Sequence, residues 1–297
     1  METALRFTGQ RAARITPIFV LCLMAAPSLR ASYVIPGLFA SVNNEVVEIA
    51  PGGGQTTAVT GYALAGLAFD AFGNLYAAEP SSGNVYEFTP GGATSTFASG
   101  LSSPYGVAVD AGGNVWVSEQ GTNEVIEIAP GGGQTVYFSG AAPGFMTFDG
   151  AGDLFVSDTF TNDILEIDSL GNESFFTFGI LSPAGLAVDQ AGFLYAASGD
   201  GNIYKYDSGG NPTLFAGGLT SPAGLAFDGS GTLYAADSSA GAIYAFTPAG
   251  AQSTFASGLD TPLGVVVATP EPGGFWMAGF GIAALGWWNS RKRRRRG

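Results

Sequence analysis

The sequence predicts an all-β fold, a six-bladed β-propeller in which six four-stranded sheets close into a wheel, and three observations carry that expectation. The first is a motif at constant spacing. GLAFD (66–70), GVAVD (106–110), FMTFD (145–149), GLAVD (185–189) and GLAFD (224–228) are followed by GVVVA (264–268), and their last residues lie 40, 39, 40, 39 and 40 positions apart. A fixed period of about 40 residues marks a propeller or a solenoid. The second is that every period holds four strand-like pieces separated by turn residues. The third is that the two ends of the repeating body complete one another.

The unit that begins at GVAVD shows the four pieces in order. GVAVD is short and apolar, as a strand buried near an axis should be. NVWVSE (114–119) follows the turn AGG, and EVIEIAP (124–130) alternates apolar and acidic residues, the period of a half-exposed strand. TVYFSG (135–140) comes last. A small apolar first piece and a third piece with its charges on one face fit a blade with a buried inner strand and wet outer strands. Residues 32–61 supply a second strand at Leu38–Ser41, a third at 45–50 and a fourth near 56–60, but no first strand. Gly264–Val267 is a first strand with nothing after it. Pairing these pieces gives a sixth, composite blade and leaves the ring without a free seam. Four strands and three hairpin turns per period fit a solenoid poorly.

Composition agrees and narrows the chemistry. The chain is 297 residues, 46% hydrophobic and only 12% charged, with 46 glycines, no histidine and one cysteine. So many glycines suit tight turns rather than long helices. Residues 1–31 read as a signal peptide: Arg6, Arg11 and Arg14 form a basic start, 15–27 an apolar stretch too short to span, and Ala31 a small residue at the cut. Cys22 falls inside it. The mature chain is then expected to lack thiol, disulfide and imidazole, which removes much of the usual catalytic equipment. Lys205 is the single base between residues 33 and 270, against 22 acids, giving a body charge of −21. That field repels nucleic acid and anionic lipid and draws cations. Its plainest role is solubility.

The pattern P-x-G-[LV]-A-[VF]-D, a Gly-rich turn, then [LV]-[YWF]-[AV]-[AS]-[DE], as in PYGVAVDAGGNVWVSEQGTNEVIEI (104–128) and PAGLAFDGSGTLYAADSSAGAIYAF (222–246), resembles the NHL-repeat family. The resemblance covers nearly all of residues 37–267. It departs where the family usually has an arginine after the Asn of the third strand, since this chain has Glu124, Asp163 or Ile203 there. It lacks the Gly-His and Trp-Asp landmarks of WD repeats. The resemblance implies the fold and, most often, a binding platform rather than an enzyme.

Candidate functional residues follow from the repeat. Glu79, Glu119, Asp158 and Asp237 end the second strands on the face that carries the links between blades, with Ser41 and Ser198 assigned to the other two places. Such a ring of carboxylates is a candidate ligand face and suits Ca²⁺, a hard cation that takes oxygen ligands; the structural alternative is that each carboxylate accepts hydrogen bonds from adjoining loops. Asp70, Asp110, Asp149, Asp189 and Asp228 precede turns and are expected to hold them. The channel mouth is expected to be ringed by Ala65, Tyr105, Gly144, Ala184, Ala223 and Leu263, mostly small and apolar. Gluconolactonase-type propellers hold a metal there with carboxylates and amides, and streptogramin-type lyases depend on histidine; neither set is expected here. No catalytic residue, resident metal or cofactor is assigned.

The last residues suggest a destination. Pro270, Glu271 and Pro272 precede an apolar stretch, 275–288, ending in Trp287 and Trp288; Arg293, Arg294, Arg295 and Arg296 follow. Trp at an interface and basic residues on the cytoplasmic side fit a short membrane helix. The arrangement resembles the PEP-CTERM sorting signal of bacterial exported proteins, with Thr269 where Val is common. That resemblance implies transient membrane insertion, cleavage by an exosortase-type enzyme, and delivery to the cell surface or extracellular matrix. The expected organisation is therefore signal peptide 1–31, propeller 32–268 and sorting signal 269–297, with terminal signal and anchor helices. The expected function is a non-enzymatic scaffold binding a protein or polysaccharide; the alternative is a metal-dependent hydrolase or lactonase.

Overall fold

The computed structural model describes residues 37–139 and 142–268. The predicted signal peptide, the Pro-Glu-Pro motif, the apolar stretch and the arginine cluster lie outside the described residues. Strands β1 (Leu38–Val42), β2 (Glu45–Ile49) and β3 (Gln55–Thr60) come first. Blade 1 is β4 (Leu67–Phe69), β5 (Leu75–Glu79), β6 (Asn84–Phe88) and β7 (Thr94–Ala98). Blade 2 is β8 (Pro104–Val109), β9 (Val115–Glu119), β10 (Glu124–Ile128) and β11 (Gln134–Ser139). Blade 3 is β12 (Pro143–Phe148), β13 (Leu154–Asp158), β14 (Asp163–Ile167) and β15 (Glu173–Phe178). Blade 4 is β16 (Leu186–Val188), β17 (Leu194–Ala197), β18 (Ile203–Tyr206) and β19 (Pro212–Ala216). Blade 5 is β20 (Pro222–Phe227), β21 (Leu233–Asp237), β22 (Ala242–Phe246) and β23 (Gln252–Ser257), and the last strand is β24 (Pro262–Val267).

The sixth sheet has the order β24-β1-β2-β3. Its seam joins the ends of the body, with Leu38, Phe39 and Ala40 paired to Val267, Val266 and Val265. The fold is a six-bladed β-propeller, and the composite blade expected from the sequence closes it. Because each sheet is an antiparallel meander, one face carries the links between blades and the turns between second and third strands. The opposite face carries the first–second and third–fourth turns.

The core lies between blades. The second residue of each second strand is aromatic and turns towards the next blade. Trp116 meets Phe148 of blade 3 edge-on at 5.8 Å, and Tyr195 meets Phe227 of blade 5 at 4.9 Å. In blades 1 to 5 a fourth-strand aromatic covers it from outside, as Tyr137 does Trp116 at 4.5 Å and Phe215 does Tyr195 at 5.0 Å. Edge-to-face contacts suit the ring quadrupoles and add to the burial itself.

At the axis the first strands approach until backbone touches backbone. The Gly66 N–H donates to the Tyr105 carbonyl at 2.8 Å, and that of Gly185 to the Ala223 carbonyl at 2.9 Å. Two junctions place a serine hydroxyl in the link. Ser41 Oγ accepts from Gly264 N at 2.8 Å and donates to the Ala65 carbonyl at 2.8 Å. Ser118 Oγ accepts from Gly106 N at 2.7 Å and donates to the Gly144 carbonyl at 2.8 Å. A Cβ at Gly224 would stand 2.6 Å from the Leu263 carbonyl and 2.8 Å from the Val265 nitrogen. Glycine is required there by space, not by dihedral angle.

Gly224→Ala should therefore destabilise the propeller by about 1–3 kcal/mol, the usual cost of overpacking. Gly229→Ala is the control, because nothing lies within 4 Å of where its methyl would stand. Thermal unfolding checks the pair: equal midpoints for both variants would contradict the axial constraint.

Candidate functional site

The second strands deliver Glu79, Glu119, Asp158 and Asp237 to the link-bearing face, where they are buried, with 8%, 6%, 1% and 1% of their surface exposed. Each carboxylate grips the link entering its own blade. Glu79 accepts from the Ala63 N–H at 3.0 Å, and Glu119 from Ser102 N–H at 2.7 Å. Asp158 accepts from Ala142 at 3.2 Å, Phe160 at 2.8 Å and Thr161 at 3.2 Å. Asp237 accepts from Thr220 at 2.7 Å, Ser221 at 3.0 Å and Ala240 at 3.1 Å. The remaining capacity of the two glutamates goes to Tyr86 and Thr122 hydroxyls. Among the described residues no buried side-chain polar atom lacks a partner, and no three acidic, His or Cys side chains converge as metal ligands would.

The register corrects one assignment. In three blades the acid of the second strand lies opposite the proline of the first: Pro104 with Glu119, Pro143 with Asp158, Pro222 with Asp237. In blade 6 the residue opposite Pro262 is Val42, not Ser41. Ser41 is one residue earlier, on the opposite face of its strand, in the axial link described above. Strand β1, Leu38–Val42, matches Val115–Glu119 residue for residue, so Val42 stands where the acid would be, and the tight turn at Asn43, with φ of 44°, follows. Asn43 instead holds the incoming link through Asp260, Nδ2 to Oδ2 2.7 Å. Ser198 does occupy its assigned place and donates to the Leu181 carbonyl at 3.1 Å.

The second aspartate series sits on the opposite face and ties down the first–second turns. Asp70 Oδ1 accepts from Phe72 and Asn74 N–H, both at 2.8 Å. The same two-and-four pattern recurs at Asp110, Asp149, Asp189 and Asp228. At Asp228 burial pushes the carboxyl up, but hydrogen bonds from Ser230 and Thr232 outweigh it and hold the group below its ordinary value. At exposed Asp168 the Asn172 side chain and N–H do the same. Lys205, the sole base of the body, lies 3.9 Å above the Phe193 ring and 3.4 Å from Asp189.

The channel differs from the small ring expected at its mouth. FMTFD places Phe145 where the other five motifs have glycine. Its ring meets Tyr105 edge-on at 5.2 Å, and burial lifts the Tyr105 phenol above its ordinary pKa. The space left along the axis is about 40 Å³, lined by Phe145, Met146, Leu67, Val107, Leu186 and Leu225 among others. That holds a few waters and no sugar ring. The signal for this feature was the first letter of one motif copy.

With this geometry in view, the chain is similar to six-bladed propellers of known structure. The crystal structure of a nidogen/laminin complex matches with a TM-score of 0.73 and 19% identity over 78% of this chain and 98% of that one. A virginiamycin B lyase from Staphylococcus aureus matches at 0.62 and 18% identity, covering 77% and 88%. A gluconolactonase from Xanthomonas campestris matches at 0.59 and 16% identity, covering 77% and 85%. At such identities the likeness carries the fold alone. No family model and no curated protein match the sequence.

Two expectations follow. Asp237→Ala strands two link N–H groups and one in the following turn and should cost about 2–4 kcal/mol, since bonds to charged groups contribute about 1.5–3 kcal/mol each; chemical denaturation measures it, and a loss under about 1 kcal/mol would mean the links hold without it. In the fold, hydrogen bonds hold the turn carboxylates Asp110 and Asp228 below their ordinary value. Their contribution is present above the unfolded pKa and lost as pH falls through the folded one, so stability should decline below pH of about 4. Asp228→Asn keeps an acceptor but not the charge, and should flatten part of that decline.

Proposed function

We propose that the protein is an exported propeller that works as a non-enzymatic binding or scaffold module at the cell surface or in an extracellular matrix. The observation that carries this reading is the axis, where Phe145, packed edge-on against Tyr105, leaves a space of about 40 Å³, too small for a sugar ring. The link-face carboxylates favour it too, because their oxygens are engaged by loop N–H groups and hydroxyls. The similarity to a propeller from a nidogen/laminin complex, which covers nearly all of that chain, fits a binding role.

The terminal segments supply the destination in this reading. Residues 1–31 direct export, and 269–297 act as a PEP-CTERM signal: Pro270-Glu271-Pro272, a short membrane helix and Arg293–Arg296. An exosortase-type enzyme removes the tail after transient insertion, leaving residues 32–268 as the working domain. A metal-dependent hydrolase or lactonase is the second reading, favoured by the likeness to gluconolactonase structures.

Mass spectrometry of the protein made by its own host tests the sorting reading. The expected mature chain begins near Ser32 and ends near Glu271; one that retains 275–297 overturns it. Calcium-dependent hydrolysis of sugar lactones by the purified propeller, abolished by Glu119→Gln or Asp237→Asn, would replace the scaffold reading with the second one.

A further inference from the structure

The outer strands of the six blades follow a common register, which makes an exception visible. At the position paired with the middle of the third strand, three blades carry Thr57, Thr96 and Thr254. Three adjacent blades carry Val136, Phe175 and Leu214, exposed by 55%, 55% and 65%. At the end of the strand the repeat has Thr60, Ser139 and Ser257, but blade 3 has Phe178, 69% exposed. Phe175 and Phe178 stack with centroids 5.0 Å apart. Large exposed aromatics grouped in this way mark interaction surfaces more often than chance.

Their direction follows from pairing. Phe175 lies opposite Leu165 and Phe178 opposite Asp163, so both stand on the face of blade 3 turned to blade 2, where Leu165 packs with Trp116 and Val125. Glu173, opposite Ile167, stands on the same face and is exposed. On the facing wall, blade 2 contributes half-buried Tyr137 and Phe138, with Glu127 beside Tyr137. The result is a rim groove with aromatic walls and acidic borders, on a body of charge −21 whose one base, Lys205, belongs to another blade.

The geometry points to this groove as the docking site for an extended polypeptide segment that alternates apolar residues with lysine or arginine. Apolar side chains fill the space between Phe138 and the Phe175–Phe178 pair. The cationic ones reach Glu127 and Glu173, with their stems lying over the rings. A second copy of this chain is disfavoured by charge, since two bodies of −21 repel. The site deepens the binding-module reading but uses the rim, not the link face, so the two fail separately.

The test uses the purified protein and three fluorescent peptides of equal length: alternating lysine and phenylalanine, lysine and serine, and glutamate and phenylalanine. Anisotropy should show that the lysine–phenylalanine peptide binds best. The repeat-like double variant Phe175→Thr/Phe178→Ser should weaken it at least about tenfold, as loss of an aromatic anchor does. Phe72→Ser, which removes a 76% exposed ring elsewhere, should leave it unchanged, and circular dichroism should show both variants folded. Unaltered binding by the double variant, or equal binding of the lysine–serine peptide, overturns the proposal. So does a dimer in sedimentation that the double variant dissolves, because the groove would then belong to a second copy.

Discussion

Everything in this molecule depends on how closely six inner strands can approach an axis. The Gly66 and Gly185 N–H groups donate straight to a carbonyl of the neighbouring blade. At two other junctions a serine hydroxyl bridges the blades instead, as Ser41 and Ser118 do. A side chain at these glycines would strike backbone, and backbone cannot swing aside as a rotamer can. This crowding sets the wheel's inner radius, and with it the width of the channel.

Phe145 is the exception that gives the axis its character. In five blades the position is glycine because the neighbouring carbonyl needs the room; in blade 3 the ring turns into the axial space and rests on Tyr105. Ser157 at that junction donates to the Phe145 carbonyl itself, at 3.1 Å, instead of bridging to the next blade. A filled axis shifts attention to the outer surfaces. The link face is tied down by buried carboxylates, and the outer strands of blades 2 to 4 carry exposed Val136, Phe175, Phe178 and Leu214.

The repeat makes much of this legible from the sequence. The period, the four strands of each unit and the closure of blade 6 can be read because they rest on local alternation and on one motif returning at fixed spacing. The turn role of the Asp70 series is equally local, since an aspartate binds N–H groups two and four residues ahead. The link-face acids are less transparent. Asp237 binds Thr220 and Ser221, 17 and 16 residues back, and only the folded link shows that its oxygens are engaged. Ser41 falls one residue from its expected place because residue type is a poor guide where strand register, set by the pairing of Val42 with Pro262, decides.

By itself, then, the sequence determined the architecture: hydrophobic periodicity and glycine placement select strands and turns, and their repetition leaves a ring as the arrangement that buries every seam. Tertiary structure alone decided what the surfaces and the axis offer. Whether a carboxylate is free or engaged, whether Phe145 lines the channel against Tyr105, and whether Phe138 packs on the cluster that holds Leu165 all depend on which residues distant in the chain are brought together. Such contacts arise only once the blades have packed, because no local pattern encodes the distance between neighbouring sheets.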